Sequence, residues 1–234
     1  MCFTTSFCVM QVTQKNILYL LFILAALAAC STAQTSATQD DEDPQSWNDV
    51  QLTVPMSKQV DVFARLTMRF GQSASQLSEG RFGGGYVWKP VKSFSISPFY
   101  LFIKTRNTAG RLVNENRLNL AATYHFPFKS FGLSHRSTYE SRIRAPANSW
   151  RYRAMLTVDK DLPESVLRKA KWFVADEAFY DSRTEKFSRN RFSVGITKEI
   201  SKELTLDLYC TRQNDGFSHP GDLNILGSTW KIRL

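Results

Sequence analysis

The sequence predicts an all-β chain: a single antiparallel transmembrane β-barrel of about 10–12 strands, preceded by a signal peptide and a short disordered acidic leader. Three observations predict it. The C-terminus sets Trp230, Ile232 and Leu234 on one phase of a strand and Thr229, Lys231 and Arg233 on the other, so the apolar phase ends on the last residue. Many bacterial outer-membrane barrels end this way. A secretory signal stands at the other end of the chain. Between the two, apolar residues recur with a period of two, the period of a strand.

The signal reads Lys15, then thirteen residues from Ile17 to Ala29 that are apolar or tyrosine, then Cys30 to Gln34. That run is shorter than the ~20 residues a membrane-spanning helix needs. Ser31 and Ala33 fit small-x-small cleavage before Gln34, whereas Leu27, Ala28, Ala29 and Cys30 resemble a lipobox with Cys30 lipidated. Cleavage after residue 33 removes one lysine and no acid, leaving 201 residues with 29 basic and 21 acidic side chains, a charge of +8. Cys210 is then the lone cysteine, so no intrachain disulfide forms. The expected organisation is signal peptide 1–33, flexible leader 34–46 carrying Asp40, Asp41, Glu42 and Asp43, and barrel 47–234.

The strands follow in order. The first, 47 to 54, is short and ends at Pro55; the second, 58 to 70, is the clearest, with Val60, Val62, Ala64, Leu66, Met68 and Phe70 opposite Asp61, Phe63, Arg65, Thr67 and Arg69. The third, 80 to 89, contains Gly83, Gly84 and Gly85, which mark a bend or close packing; without a following helix or lysine they are no phosphate loop. The fourth is 93 to 105. In the fifth, 113 to 126, Leu118, Leu120, Ala122, Tyr124 and Phe126 oppose Arg117, Asn119, Ala121, Thr123 and His125. The sixth is 129 to 143, and the seventh, 149 to 159, opposes Trp150, Tyr152, Ala154, Leu156 and Val158 to Arg151, Arg153, Met155, Thr157 and Asp159. Strands at 170 to 181, 187 to 199, 202 to 213 and 222 to 234 complete eleven. An odd count conflicts with the even number usual in single-chain bacterial barrels. The short first strand is the doubtful one, and ten or twelve both remain open.

Connections alternate in the sequence between tight turns near Pro55, Pro90, Pro127 and Ile200 and longer polar loops near 71–80, 106–112, 144–149, 181–186 and 214–221. That rhythm fits short periplasmic turns and long external loops, with 160–169 its irregular member. Trp88, Tyr124, Phe126, Trp150, Tyr152 and Trp230 lie on the apolar phase near strand ends, as interfacial aromatic girdles do.

A lipid-facing apolar phase leaves the polar phase inside, where Arg65, Arg69, Arg117, Glu140, Arg151, Arg153, Arg191 and Asp207 are the expected lumen-lining residues. Two readings follow: a salt-bridge lattice that fills a structural barrel, or a small porin-like channel whose excess arginine attracts small anionic solutes. The acidic leader offers a third element, a plug folded back into the arginines. Trp230, Ile232 and Leu234 are the expected insertion signal, read by the barrel-assembly machinery, and outer-membrane lipids are the surrounding partner. Nucleic acid is excluded as a partner, because period-two scattering of arginine makes no basic recognition face.

Enzyme signals are thin. His135 and Ser137 share an outward phase, a spacing reminiscent of outer-membrane phospholipase, with Asn148 as the conceivable orienting residue. A rise of ~3.3 Å per residue puts His135 away from the headgroups, so no catalytic residue is assigned. The three histidines are too scattered for a metal, and no cofactor is expected. The rival readings are a lipid-modifying enzyme and a secreted soluble binding barrel whose apolar phase points inward. The turn-rich stretch 212–222 reads as a hairpin loop, or alternatively as an external contact or calcium site.

Trp47 to Asp49, Arg151 to Arg153, Asp176 and Glu177, Phe179 to Asp181, Asn190 to Phe192, Asp207 to Tyr209 and Arg212 to Gly216 together resemble the family known as domain of unknown function 2490. The resemblance spans the mature chain. It implies an outer-membrane barrel and no particular activity, so no catalytic residue is carried over.

Overall fold

The computed structural model describes residues 42–107, 110–216 and 221–234. The signal peptide, both cleavage alternatives at Cys30 to Gln34, and Asp40 and Asp41 of the leader lie outside the described residues. Within them the chain forms eleven strands: β1 (Glu42–Pro55), β2 (Val60–Gly71), β3 (Gln76–Val91), β4 (Phe94–Arg106), β5 (Leu112–Phe126), β6 (Gly132–Arg144), β7 (Ser149–Asp161), β8 (Ala170–Asp181), β9 (Lys186–Glu199), β10 (Leu204–Asp215) and β11 (Asp222–Arg233). Each pairs with the next in sequence, and β1 pairs with β11 to close the barrel.

The closing pair corrects the expectation of a wholly antiparallel barrel. In an up-and-down meander with an odd number of strands, the first and last run the same way. β1 and β11 are accordingly parallel, in register from Glu42 opposite Asp222 to Thr53 opposite Arg233. The short first strand is real, and it is longer than expected: β1 begins at Glu42, so the last residues of the presumed leader are strand. Asp43 does not enter the interior as a plug. Its carboxylate accepts the backbone N–H groups of Gln72 (3.2 Å) and Ser73 (3.0 Å), capping the β2–β3 connection.

The expected alternation of connection lengths is also corrected. The supposed long loops shrink to residues 72–75, 107–111, 145–148, 182–185 and 216–221, because the strands continue into them, while the longest connection, 162–169, lies at the opposite end. The two ends are called here the loop end (where β1 starts) and the turn end (where β11 finishes).

Burial decides which phase faces in. On β5, Leu118 and Leu120 are 53% and 51% exposed, whereas the alternating Arg117 and Asn119 are 4% and 5% exposed. The apolar phase is outward, opposite to a soluble barrel with an apolar interior. Two ladders of outward aromatics stand towards the two ends. Tyr139, Trp150, Tyr180 and Phe187 make a ladder with ring centroids 6.0, 5.5 and 5.5 Å apart towards the loop end. Tyr124, Phe126, Phe128 and Phe131 make another towards the turn end, at 5.0, 6.3 and 5.0 Å.

Local irregularities have local causes. Register shifts between Trp88 and Val91, where Pro90 has no N–H for the β4 ladder. Gly83 and Gly85 serve close packing: a Cβ on either would lie 2.0 Å from the Tyr100 carbonyl oxygen and 2.3 Å from that of Pro98.

Candidate functional site

Alternation along each strand delivers one set of polar side chains to the interior, and these concentrate in the loop-end half. Glu79 and Arg81 come from β3, Glu115 and Arg117 from β5, Glu140, Arg142 and Arg144 from β6, Arg151 and Arg153 from β7, Glu177 and Asp181 from β8, Arg189 and Arg191 from β9, and Gln213 and Asp215 from β10. Register then sets which of them meet.

The carboxylates are shared rather than paired one to one. Arg142 binds Glu115 through two parallel bonds, Nε to Oε1 at 2.8 Å and Nη2 to Oε2 at 2.9 Å. Arg117 also holds Glu115, at 2.7 Å, and reaches Glu140 at 3.4 Å. Glu140 is 1% exposed. It takes its second partner from Arg153 at 2.8 Å, and Arg153 continues to Glu177 at 2.6 Å. Arg142 further links to Asp181 (3.4 Å), which Arg151 holds at 2.7 Å. One connected ionic lattice therefore crosses β5, β6, β7 and β8. Separate pairs lie beside it: Glu79 with Arg69 (3.0 Å) and Arg81 (2.6 Å), and Arg189 with Asp215. Charged forks of this kind gain from fixed geometry because guanidinium offers several donors in one plane.

Two aromatics organise the remaining guanidiniums. Phe179 is 2% exposed. Arg191, Arg153, Arg151 and Arg189 lie 4.8, 5.0, 5.7 and 5.8 Å from its ring centroid. Trp47 receives Arg69 at 3.5 Å and Arg191 at 4.7 Å. Such stacking is favourable where the cation has lost water. Arg191 and Arg65 hydrogen-bond to the neutral amide oxygens of Gln213 (2.8 Å) and Gln51 (3.2 Å). Among the described residues, neither meets a carboxylate in an ion pair.

The space left between these groups is a cavity of about 410 Å³, lined by nine arginines, Arg69, Arg81, Arg117, Arg142, Arg144, Arg151, Arg153, Arg189 and Arg191, and by three carboxylates, Glu79, Glu115 and Asp181.

Of the eight residues singled out from sequence, Arg69, Arg117, Arg151, Arg153 and Arg191 line this cavity, Glu140 bridges Arg117 and Arg153, and Arg65 lies on the inward phase of β2. Asp207 is not part of the cluster: it binds Lys231 (2.5 Å) and the Thr197 hydroxyl (2.8 Å) towards the turn end. Sequence reasoning missed Glu79 and Asp215 by placing them in loops, and Asp181 by leaving it at the border of strand and loop. Each continues the phase of its strand, as Glu79 two residues before Arg81 and Asp215 two after Gln213. The stretch 212–222 divides: Asp215 is inward, Arg212 binds Asp222 at 2.7 Å, and 217–220 lies outside the described residues.

His135 and Ser137 do meet on the outward face. Nε2 lies 3.0 Å from Oγ, and the third group is the Tyr152 hydroxyl at 2.8 Å from Ser137, not Asn148, which accepts the Arg144 N–H (3.2 Å) at the loop end. Ser137 sits inside a strand laddered on both sides, so the N–H groups around it are committed to β5 and β7 and form no oxyanion site.

The family model for a protein of unknown function, DUF2490, matches residues 44–224. The chain belongs to that family. A search of curated proteins finds no match to this DUF2490 chain. Among solved structures it is similar to the NanC porin, with a TM-score of 0.51 and 9% identity over 82% of this chain and 99% of that one. Weaker likenesses are the KdgM porin (TM-score 0.44, 14% identity, 70% of this chain and 81% of that one) and an anion-selective porin from Comamonas acidovorans (TM-score 0.36, 13% identity, 75% and 54%). The NanC likeness shows a porin-like barrel fold.

Proposed function

We propose that this DUF2490 protein is an integral outer-membrane barrel that admits small anionic solutes through its arginine-lined interior. The observation that carries the reading is the lining of the 410 Å³ cavity, nine arginines against three carboxylates. A cation excess inside low-dielectric walls focuses its field along the axis and raises the local concentration of negative solutes. The outward apolar phase between two aromatic ladders supports the membrane location, since lipid-facing strands of transmembrane barrels carry those features. Likeness to the NanC porin supports it at the level of fold alone.

The test is single-channel conductance of the purified chain in planar bilayers, comparing chloride with potassium. Current steps favouring chloride are expected. The preference should fall towards unity in Arg65→Gln and Arg191→Gln, which remove charge without stripping a carboxylate of its ion pair. Silence from demonstrably inserted protein would overturn the channel and leave a closed barrel held by the lattice around Glu140.

A further inference from the structure

Halfway along the outward face of β6 to β9, mostly polar side chains surround a floor of two alanines. One row of paired residues runs His135, Leu156, Asp176, Phe192, and the next runs Ser137, Ala154, Ala178, Asn190. His135, Ser137 and the Tyr152 hydroxyl are joined at 3.0 and 2.8 Å, and the Asn190 side-chain amide donates to the Asp176 carboxylate at 2.9 Å. Asp176 is exposed and lies midway between the outward aromatics Trp172 and Tyr180, four residues from each, or about 13 Å along the strand.

In the membrane location proposed above, that midpoint is hydrocarbon. A carboxylate held by one neutral amide is costly there, and ionisable groups at such depth usually meet a partner. Two features identify the partner. Ala154 and Ala178 leave a depression between taller neighbours, and small residues let two walls approach closely in lipid. The patch is also self-complementary: its β6 side presents imidazole and hydroxyl, while its β8–β9 side presents carboxylate and amide. A two-fold axis over β7, parallel to the barrel axis, turns the β6 side of one copy towards the β8–β9 side of the other. We propose that this patch joins two copies of the chain into a dimer, an inference that rests on the membrane reading.

Site-directed cross-linking of the full chain in lipid vesicles tests it, in a background with Cys2, Cys8, Cys30 and Cys210 all changed to serine. Insertion is established first, by co-flotation with the vesicles and protease resistance. Ala154→Cys lies close to the expected axis and should form a dimer under mild oxidation. Leu66→Cys, outward on the opposite wall, should not. Adding Asp176→Leu to Ala154→Cys should lower the dimer yield at least fivefold. Inserted protein that stays monomeric, that cross-links equally through Leu66→Cys, or that is captured at Ala154→Cys by a different membrane protein overturns the dimer while sparing the barrel. Failure to insert overturns both.

Discussion

The two halves of the barrel interior draw on the same polar alternation and build different things with it. Towards the loop end, arginines and carboxylates are buried and the acids of the lattice are shared: Glu115 by Arg117 and Arg142, Glu140 by Arg117 and Arg153, Asp181 by Arg142 and Arg151. Towards the turn end the acids meet mostly lysines at the rim. Asp61 takes Lys89 (2.7 Å) and Arg233 (3.0 Å), Asp207 takes Lys231 (2.5 Å), and the side chains of Lys89, Arg233 and Lys231 are 34%, 51% and 47% exposed. The difference is one of geometry and solvation: the loop-end acids sit among buried guanidiniums, whereas the turn-end cations are a third to a half exposed even where, as at Asp61, two of them share one acid. A lysine is a point charge without the guanidinium fork and stays solvated.

The largest break in that contrast is Glu140→Ala. Removing the acid between Arg117 and Arg153 leaves two buried cations facing each other across the gap, each with one acid left, Glu115 and Glu177, so the loss is expected towards the lower end of the about 3–5 kcal/mol typical of breaking a buried pair. The unfolding free energy of the vesicle-inserted barrel, from urea titration, should fall by that amount, with little rescue by glutamine, which restores shape without charge. A loss below about 1 kcal/mol would mean that water already solvates the lattice.

Arg153→Lys is next. Arg153 spans Glu140 at 2.8 Å and Glu177 at 2.6 Å while lying 5.0 Å from the Phe179 ring centroid. Lysine keeps the charge but cannot reach both acids in one plane, so a loss of about 1.5–3 kcal/mol is expected, the range for a charged hydrogen bond. Equal stability of the lysine variant would show that charge alone, not the fork, holds this half together.

These clusters were legible in the sequence only in part, for a geometrical reason. Alternation states on which side of the wall a residue lies, which is why Arg69, Arg117, Arg151 and Arg153 were readable as inward and why β8 was expected at the 170–181 it occupies. It does not state height or neighbour. Asp207 shares the inward phase with Arg153 yet sits near the turn end, and Glu140 meets Arg153 through a register no single strand encodes. Glu79 and Asp215 were lost to loops because the serine, glycine and asparagine beside them read as turn formers, although their two-residue spacing from Arg81 and Gln213 continued the strand; Asp181 stood at the border of strand and loop, two residues after Phe179. The parallel seam was hidden for a similar reason. An odd count of strands was visible, but a pattern read along one strand carries no information about how the first meets the last.

The smallest effect sharpens the comparison from the other side. Lys231→Met removes the partner of Asp207, but the lysine side chain is 47% exposed and Asp207 keeps the Thr197 hydroxyl at 2.8 Å. Half-exposed pairs contribute about 0–1 kcal/mol, and salt screens them over roughly 10 Å at 0.1 M. A drop within that range is expected at low salt, vanishing in 1 M salt, whereas the loss in Glu140→Ala should persist at both concentrations because its charges are buried. If the two variants instead respond to salt alike, the loop-end lattice is as wet as the rim. Its arginines would then be mobile charges along the lumen wall rather than a fixed brace within it.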